Sequence, residues 1–568
     1  MTPISPFKRL LQLLQEDRSD IRSIYLLAIF TGLINLSLPL GIQAILSYLN
    51  AGELSTSWGV LVFIVLISVG VVGILQIKQI SITESIEQRI FTRAAFEFAY
   101  RFTRFRQEDM NNKYAPELVN RFFEIMTIQK GLSKLLIDFS AAFLQILFGL
   151  LLLTLYHPLF LAFGLGLIAL LYAIYMLTGK IGLKTSLEES KYKFEVAHWL
   201  EEIGRTMSTF KLLGQTELPL GKTDQLTQKY LKARQSHFKI LVWQFSGLII
   251  FKLLVIAGLL IVGSYLVVNN LINIGQFVAS EIIILLIISS VEKVIMSMNN
   301  VYDVLTALEK VGHVTDIPLE TQTGDELPES KEHAMSVEFS KVSFSFPNED
   351  HFILADVDLS IKAGEHILVC GKNGSGKTTL LRLISGLYTT FQGSISFNGL
   401  PLRNLQPEAL RTAIGDHFHA SDVFRGTFLE NIQAGRYQLS LSDVQAASEM
   451  VGLSEYIQNL PLGYSTPIDP EGKQWPSGVV RKIILARAIL GHPKLLLIED
   501  NLMSLPDRYA IFQRILAPEN KWTVVVISSD IKLAQRVDRV VVLDKGTMLE
   551  AAPFAQLNNK QFLTQNID

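Results

Sequence analysis

The residues best suited to chemistry form one run, Gly371-Lys372-Asn373-Gly374-Ser375-Gly376-Lys377-Thr378-Thr379. Gly371, Gly376, Lys377 and Thr378 fit the spacing G-x-x-x-x-G-K-[ST] of a phosphate-binding loop. The residue types follow from the task. Phosphate oxygens need several backbone N–H groups converging at short range, and side chains inside the loop would block that approach. Glycines at 371, 374 and 376 let the backbone curl around the anion. Lys377 brings a cation to the β- and γ-phosphates, and Thr378 offers a hydroxyl oxygen to Mg2+, a hard ion. A helix opening at the loop would aim its positive end at the phosphates.

Such a loop must be held between a buried strand and a helix. The flanking residues supply both: Glu365–Cys370 reads EHILVC, and Thr379–Ile384 reads TLLRLI. A glycine-rich turn that binds nothing would not require this order. Further strand-like runs at Val337–Phe339, Lys494–Ile498, Thr523–Ile527 and Val540–Leu543 alternate with helical stretches. They predict an α/β domain from Ser336 onward with parallel strands at its core. Cys370 is the single cysteine, so no intrachain disulfide forms, and its place in a strand reads as a small buried hydrophobe.

The rest of the chain has another solvent. Hydrophobic residues make up 49% of the sequence and charged ones 18%, with a mean hydropathy of +0.32. That is too apolar for a wholly soluble protein, and the net charge of −2 argues against a nucleic-acid partner. Apolar runs at about Ile24–Leu49, Trp58–Ile80, Leu135–Tyr156, Leu159–Leu177, Ile240–Val268 and Ile274–Met296 each suffice to cross about 30 Å of hydrocarbon as a helix. The short connections Asn50–Ser57, His157-Pro158 and Asn269–Asn273 carry no Lys or Arg, whereas Lys78–Lys134 and Lys180–Lys239 are rich in both. The positive-inside rule therefore places the two long segments, both termini and the phosphate loop in the cytoplasm. Each long segment has one candidate reversal, at Asn111–Pro116 and at Gly204–Gly214.

Residues 1–20 interleave Leu10, Leu11, Leu13 and Leu14 with Lys8, Arg9, Gln12 and Gln15. That pattern suits a helix lying on the membrane surface or an ordinary packed helix. The chain thus divides into a membrane domain at 1–316, a polar linker at 317–335 and a soluble domain at 336–568.

Three ionisable residues fall within spans: Lys252, Glu281 and Glu292. Lys252 and Glu292 sit at nearly matched depth and are expected to pair. The pair reads either as structural or as part of a substrate path. Glu281, near the outer mouth, is a candidate to line an exit path, which nothing in the sequence decides.

Six spans, long cytoplasmic loops and a C-terminal phosphate-loop domain together resemble a half-transporter of the ATP-binding-cassette (ABC) exporter family. The resemblance covers nearly the whole chain and is nearest to the branch exporting peptides and proteins, by type I secretion and bacteriocin export. It implies a six-helix membrane domain plus an α/β nucleotide-binding domain, ATP and Mg2+ as cofactors, and a second half-transporter as partner. It further implies a transported substrate, a lipid surround and a multi-pass location in a bacterial inner or plasma membrane. The N-terminal cysteine-protease domain of some members is expected to be absent, since the first span begins near Ile24.

Carried over residue by residue, the resemblance assigns Phe346, within Val342–Pro347, to stacking on adenine. It assigns His419 to the place of a glutamine that contacts Mg2+ and the attacking water. Trp475-Pro-Ser-Gly-Val479 stands where LSGGQ is usual, and Pro476 there removes a hydroxyl and an N–H. Glu499 takes the Mg2+ carboxylate position alongside Thr378, and Asp500 that of the water-activating glutamate. A base one methylene shorter sits about 1 Å away from its place, which can cost about 10²-fold in rate. Ser504-Leu-Pro506 displaces a usual Asp, and Ser529 replaces the switch histidine. Binding parts are retained and hydrolytic parts have drifted. The expectation is an exporter with slow turnover or, alternatively, a non-hydrolytic ATP-binding half of a heterodimer or secretion assembly.

Overall fold

The computed structural model describes residues 4–50, 56–111, 113–328, 333–347, 349, 351–418, 423–503 and 505–563. The chain separates into two compact units. One comprises Met1–Thr103 and Tyr114–Ile317, the other Arg104–Lys113 and Pro318–Asp568.

The first unit is all helix: α1 (Pro6–Glu16), α2 (Arg18–Asn35), α3 (Ser37–Asn50), α4 (Thr56–Phe102), then α5 (Gln107–Met110) of the other unit, α6 (Ala115–Asn120), α7 (Glu124–Tyr156), α8 (Pro158–Arg205), α9 (Met207–Leu212), α10 (Leu218–Val268), α11 (Ile274–Met296) and α12 (Met298–Thr315). Six stretches among the described residues are long and apolar enough to cross a membrane, as the sequence predicts. At 1.5 Å per residue the 47 residues of α4 run to about 70 Å, more than twice a hydrocarbon core. The same holds for α8 and α10, so the apolar runs are only parts of longer rods.

Local chemistry sets the ends and breaks. The first span is interrupted at Leu36 because Pro39 has no N–H to give the carbonyl of Asn35. Pro158 opens α8 at its first turn, and His157 Nδ1 accepts the N–H of Leu159. Asn273 and Gln276 form a reciprocal cap on α11. Helix α1 turns Leu10, Leu13 and Leu14 against a core of Ile24, Ile90, Ile128 and Leu308, so one face is packed in the bundle. Its Arg9 pairs with Asp316.

Lys252 on α10 donates to Glu292 on α11 at 2.7 Å, the pairing expected from their depth. Their side chains are 31% and 37% exposed. Glu281 is exposed on α11.

Among the described residues the second unit holds twelve strands: β1 (Val337–Phe344), β2 (Leu354–Ile361), β3 (His366–Gly371), β4 (Gln392–Phe397), β5 (Leu400–Pro401), β6 (Ile414–His417), β7 (Gly426–Thr427), β8 (Pro467–Ile468), β9 (Leu495–Glu499), β10 (Thr523–Ile527), β11 (Arg539–Asp544) and β12 (Thr547–Ala552). A six-stranded sheet runs β12-β11-β3-β10-β9-β6; all its neighbours are parallel except the antiparallel β11-β12 pair. Parallel strands are buried on both faces, which is why β9 and β10 read as unbroken apolar runs.

One expectation needs correcting. Val337–Phe339 does not join the parallel core. It opens β1 of a second, antiparallel sheet of order β2-β1-β4-β5, with Val337 opposite Ile361 and Phe397.

The tip of the first long loop belongs to this unit. The carboxylate of Glu108 on α5 accepts the N–H groups of Thr389 and Thr390 at 2.6 and 3.1 Å. Phe105 pairs with Leu319 across an isolated bridge, and the N–H of Glu320 donates to the carbonyl of Arg104.

Candidate nucleotide-binding site

Strand β3 ends at Gly371 and helix α13 (Lys377–Ile384) starts six residues later, with the glycine-rich run between them. Cys370, the last core residue of β3, is 1% exposed, and burial pushes its thiol up to about 11, so it is an inert apolar filler. Gly371, Gly374 and Gly376 have φ of 151°, 81° and 95°, the left-handed side of the map that the loop reversal demands. Lys372 and Asn373 are exposed, Ser375 and Thr379 buried.

Lys377 curls over the loop and donates from Nζ to the carbonyls of Gly371 and Lys372 at 2.9 and 2.8 Å. Burial lowers its ammonium from the ordinary value. The hydroxyl of Thr378 donates to Glu499 Oε1 at 3.4 Å. A hydroxyl and a carboxylate thus meet where the loop becomes helix, and both are oxygen donors that a hard divalent cation accepts. Among the described residues the buried hydroxyl of Ser375 has no hydrogen-bond partner. An N–H-rich loop, a cation, an unpaired hydroxyl and an O-donor pair are the groups that a Mg2+-bound triphosphate uses, so the residues fit ATP with Mg2+.

Phe346 follows β1 and meets Phe344 and Tyr388 edge-on at 5.3 and 5.8 Å between ring centres. Tyr388 in turn donates its hydroxyl to Asn111 Oδ1 at 3.2 Å. The aromatic expected to stack on adenine is therefore braced by a second ring tied to the first-loop tip.

Asp500 is held quite differently from Glu499. Its side chain is 1% exposed. Arg508 approaches both carboxylate oxygens, Nε reaching Oδ1 at 3.1 Å and Nη2 contacting Oδ2. Ser528 donates to Oδ2 at 2.7 Å. The remaining arm of Arg508 donates to Asp530 Oδ2 at 2.7 Å, and the Tyr509 hydroxyl reaches the same oxygen at 2.7 Å. Asp530 also caps helix Ile531–Ala534 by accepting the N–H groups of Lys532 and Leu533. Sequence reading missed Arg508, Ser528 and Asp530. No spacing pattern announces them; their role depends on the fold placing a helix start and a loop against the end of β9.

Ser529 lies half-buried between Ser528 and Asp530. Pro476 caps helix Ser477–Ile489 through its carbonyl, which accepts from Val479 and Val480 at 2.9 and 3.2 Å. Trp475 is spent on packing, edge-on to Phe428 at 5.1 Å. Asp507, next to Pro506, pairs with Lys482 at 2.6 Å. His419 and Ser504 lie outside the described residues.

Residues 354–502 match the family model described as ABC transporter, and residues 23–291 that of the ABC transporter transmembrane region. The chain belongs to the ABC transporter family. This ABC transporter has a transmembrane domain and an ATP-binding domain, with six candidate spans and an exporter fold. Its fold matches a bacterial Atm1-family ABC exporter with ATP bound, with TM-score 0.84 and 19% identity over 96% of each chain. Among curated relatives it is 33% identical over 223 residues to the ABC transporter ATP-binding protein YknV of Bacillus subtilis, covering 39% of this chain and 37% of that protein. It is 30% identical over 278 residues to the ATP-dependent lipid A-core flippase of Alkalilimnicola ehrlichii, covering 48% and 46%. It is 26% identical over 293 residues to the α-hemolysin translocation protein HlyB of Escherichia coli O157:H7, covering 51% and 41%. The matched segments span less than half the length of these relatives.

Proposed function

We propose that this chain is one half of a dimeric membrane exporter that binds ATP with Mg2+ and hydrolyses it slowly. Residues 1–316 form the membrane domain, 317–335 the link and 336–568 the nucleotide-binding domain, with both termini in the cytoplasm. Lys377, Thr378, Glu499, Phe346 and the amides of residues 371–379 bind the nucleotide and its metal. One observation carries the low rate: the carboxylate in the place of the water-activating glutamate, Asp500, is buried and doubly engaged by Arg508. A base must offer an oxygen lone pair to water. Substitutions at Pro476, His419 and Ser529 act in the same direction. Peptides, proteins and amphipathic molecules are the substrate class this reading favours, since one relative's name specifies hemolysin translocation and another's a lipid flippase.

The same observation supports a second reading, in which the chain is the non-hydrolytic half of a heterodimer or secretion assembly. The two part on one measurement. Purified full-length protein should bind ATP in the presence of Mg2+, and Lys377→Ala should abolish binding. Turnover should lie at least about 10²-fold below that of an ordinary exporter, the usual result of losing one preorganised group. Measurable steady turnover by the protein alone selects the slow exporter, and turnover only with a co-purified second half selects the heterodimer. An ordinary exporter rate from the protein alone overturns both. Asn270, replaced by cysteine, should be labelled from outside the cell; labelling only from the cytoplasm would overturn the orientation.

A further inference from the structure

Five side chains around the end of β9 form one connected polar cluster: Asp500, Arg508, Tyr509, Ser528 and Asp530. The side chains of Asp500, Arg508 and Asp530 are 1%, 4% and 2% exposed. Buried charges persist only when paired and hydrogen-bonded, and here each is. Asp500 receives both edge N–H groups of the guanidinium plus the Ser528 hydroxyl. Asp530 receives the third arm of Arg508, the Tyr509 hydroxyl and two backbone N–H groups. Ser528 also accepts the N–H of Asp530 at 3.2 Å, so the loop carrying Ser529 is tied on both sides.

We infer that Arg508 is a positioning residue that makes Asp500 a structural counter-ion and staples the end of β9 to the 528–530 loop. This rests on the proposed weak hydrolysis and supplies its cause. Side-on, bidentate binding by a guanidinium occupies both carboxylate oxygens. Both oxygens of the carboxylate are therefore engaged inside the protein and turned away from water. Glu499, one residue earlier, faces Thr378 instead, so the two adjacent acids divide into a binding group and a building block.

The inference predicts a coupling. In the full-length protein, Asp500→Asn and Arg508→Lys should each lower the melting temperature by several degrees. The double variant should melt close to the worse single one, because both remove the same interaction. The pH profile of the residual turnover is the readout that mere packing would not move. If Asp500 were the base of the wild type, Asp500→Asn would remove the acid limb together with the turnover; with both oxygens held by Arg508, the limb stays where it is in Asp500→Asn while the melting temperature falls. Failure of Asp500→Asn to fold, when Glu499→Gln folds, would also support the inference. Three results would overturn it: melting losses that simply add, an acid limb lost in Asp500→Asn, or Asp500→Asn melting like wild type while trapping ATP without turnover. The proposed function fails separately. A fast wild type with a coupled, unshifted Asp500–Arg508 pair would leave the staple standing and place the base elsewhere.

Discussion

Two glycines of the phosphate loop should fail in different ways when changed to alanine, and the difference can be worked from the structure. A Cβ on Gly371 would lie 2.0 Å from the carbonyl oxygen of Leu543, where real Cβ atoms keep at least 3.0 Å. Gly371 is in register with Leu543 across the β3–β11 pair, in the middle of the six-stranded sheet. About 1 Å would have to be opened between two central strands. Overpacking of that kind costs about 1–3 kcal/mol, and an alanine held at φ 151° adds about 1–3 kcal/mol of backbone strain. Gly374 has φ 81° and nothing within 4 Å of a Cβ, so Gly374→Ala carries only the left-handed penalty of about 1–2 kcal/mol. The loop can shed that penalty by relaxing, and relaxing misaligns its amides. Losing one hydrogen bond to a charged group removes about 1.5–3 kcal/mol, or roughly 10- to 100-fold in ATP affinity. Denaturation and nucleotide-binding titrations on the full-length protein should show Gly374→Ala nearly as stable as wild type but at least tenfold weaker for ATP. Gly371→Ala should be destabilised by about 4 kcal/mol, the middle of the summed ranges. Equal loss of stability in both variants, or a Gly371→Ala protein as stable as wild type, would refute the reasoning.

Two other consequences are measurable. Burial pulls the imidazole of His417, 1% exposed on β6, down to about 4 from an ordinary 6.5. Between those values the unfolded chain binds a proton that the native state does not, so this contribution is fully present above pH 6.5 and is lost as pH falls towards 4, by about 3 kcal/mol. His417→Asn should flatten the acid slope of the melting curve relative to wild type, and an unchanged slope would contradict the assignment. In the membrane unit, Lys252→Met or Glu292→Gln should each cost about 1–2 kcal/mol by stranding a charge, discounted for partial exposure. The Lys252→Met/Glu292→Leu double variant should recover part of that loss; strictly additive losses in detergent melts would show that the pair is uncoupled.

What the sequence made legible follows from how each feature is encoded. The spans and the parallel strands β3, β9, β10 and β11 announce themselves because burial on all sides demands unbroken apolar runs. The phosphate loop does so because its spacing is contiguous. The antiparallel sheet was harder to read. Strand β2, LADVDLSI, alternates buried and exposed positions as a half-solvated strand must, but β4 is QGSISF, with one glycine and two serines and little apolar signal. The Asp500 cluster was illegible for another reason. Arg508 and Asp530 are 22 residues apart and Ser528 is 28 from Asp500, so only the fold makes them neighbours. The sequence showed that Asp500 was out of pattern. It did not show that the residue was already spoken for.

The hydrogen-bonded tip at Glu108 changes what a domain boundary means in this chain. Residues Arg104–Lys113 are encoded between two membrane helices yet belong to the nucleotide-binding unit. A fragment beginning at Pro318 would leave the N–H groups of Thr389 and Thr390 without the carboxylate that accepts them, and Tyr388 without Asn111. The soluble half is therefore not a segment that can be lifted out whole. Recombination that swaps C-terminal halves between relatives would pair each new half with a foreign tip, so the tip and the half must be inherited together to remain a matched set.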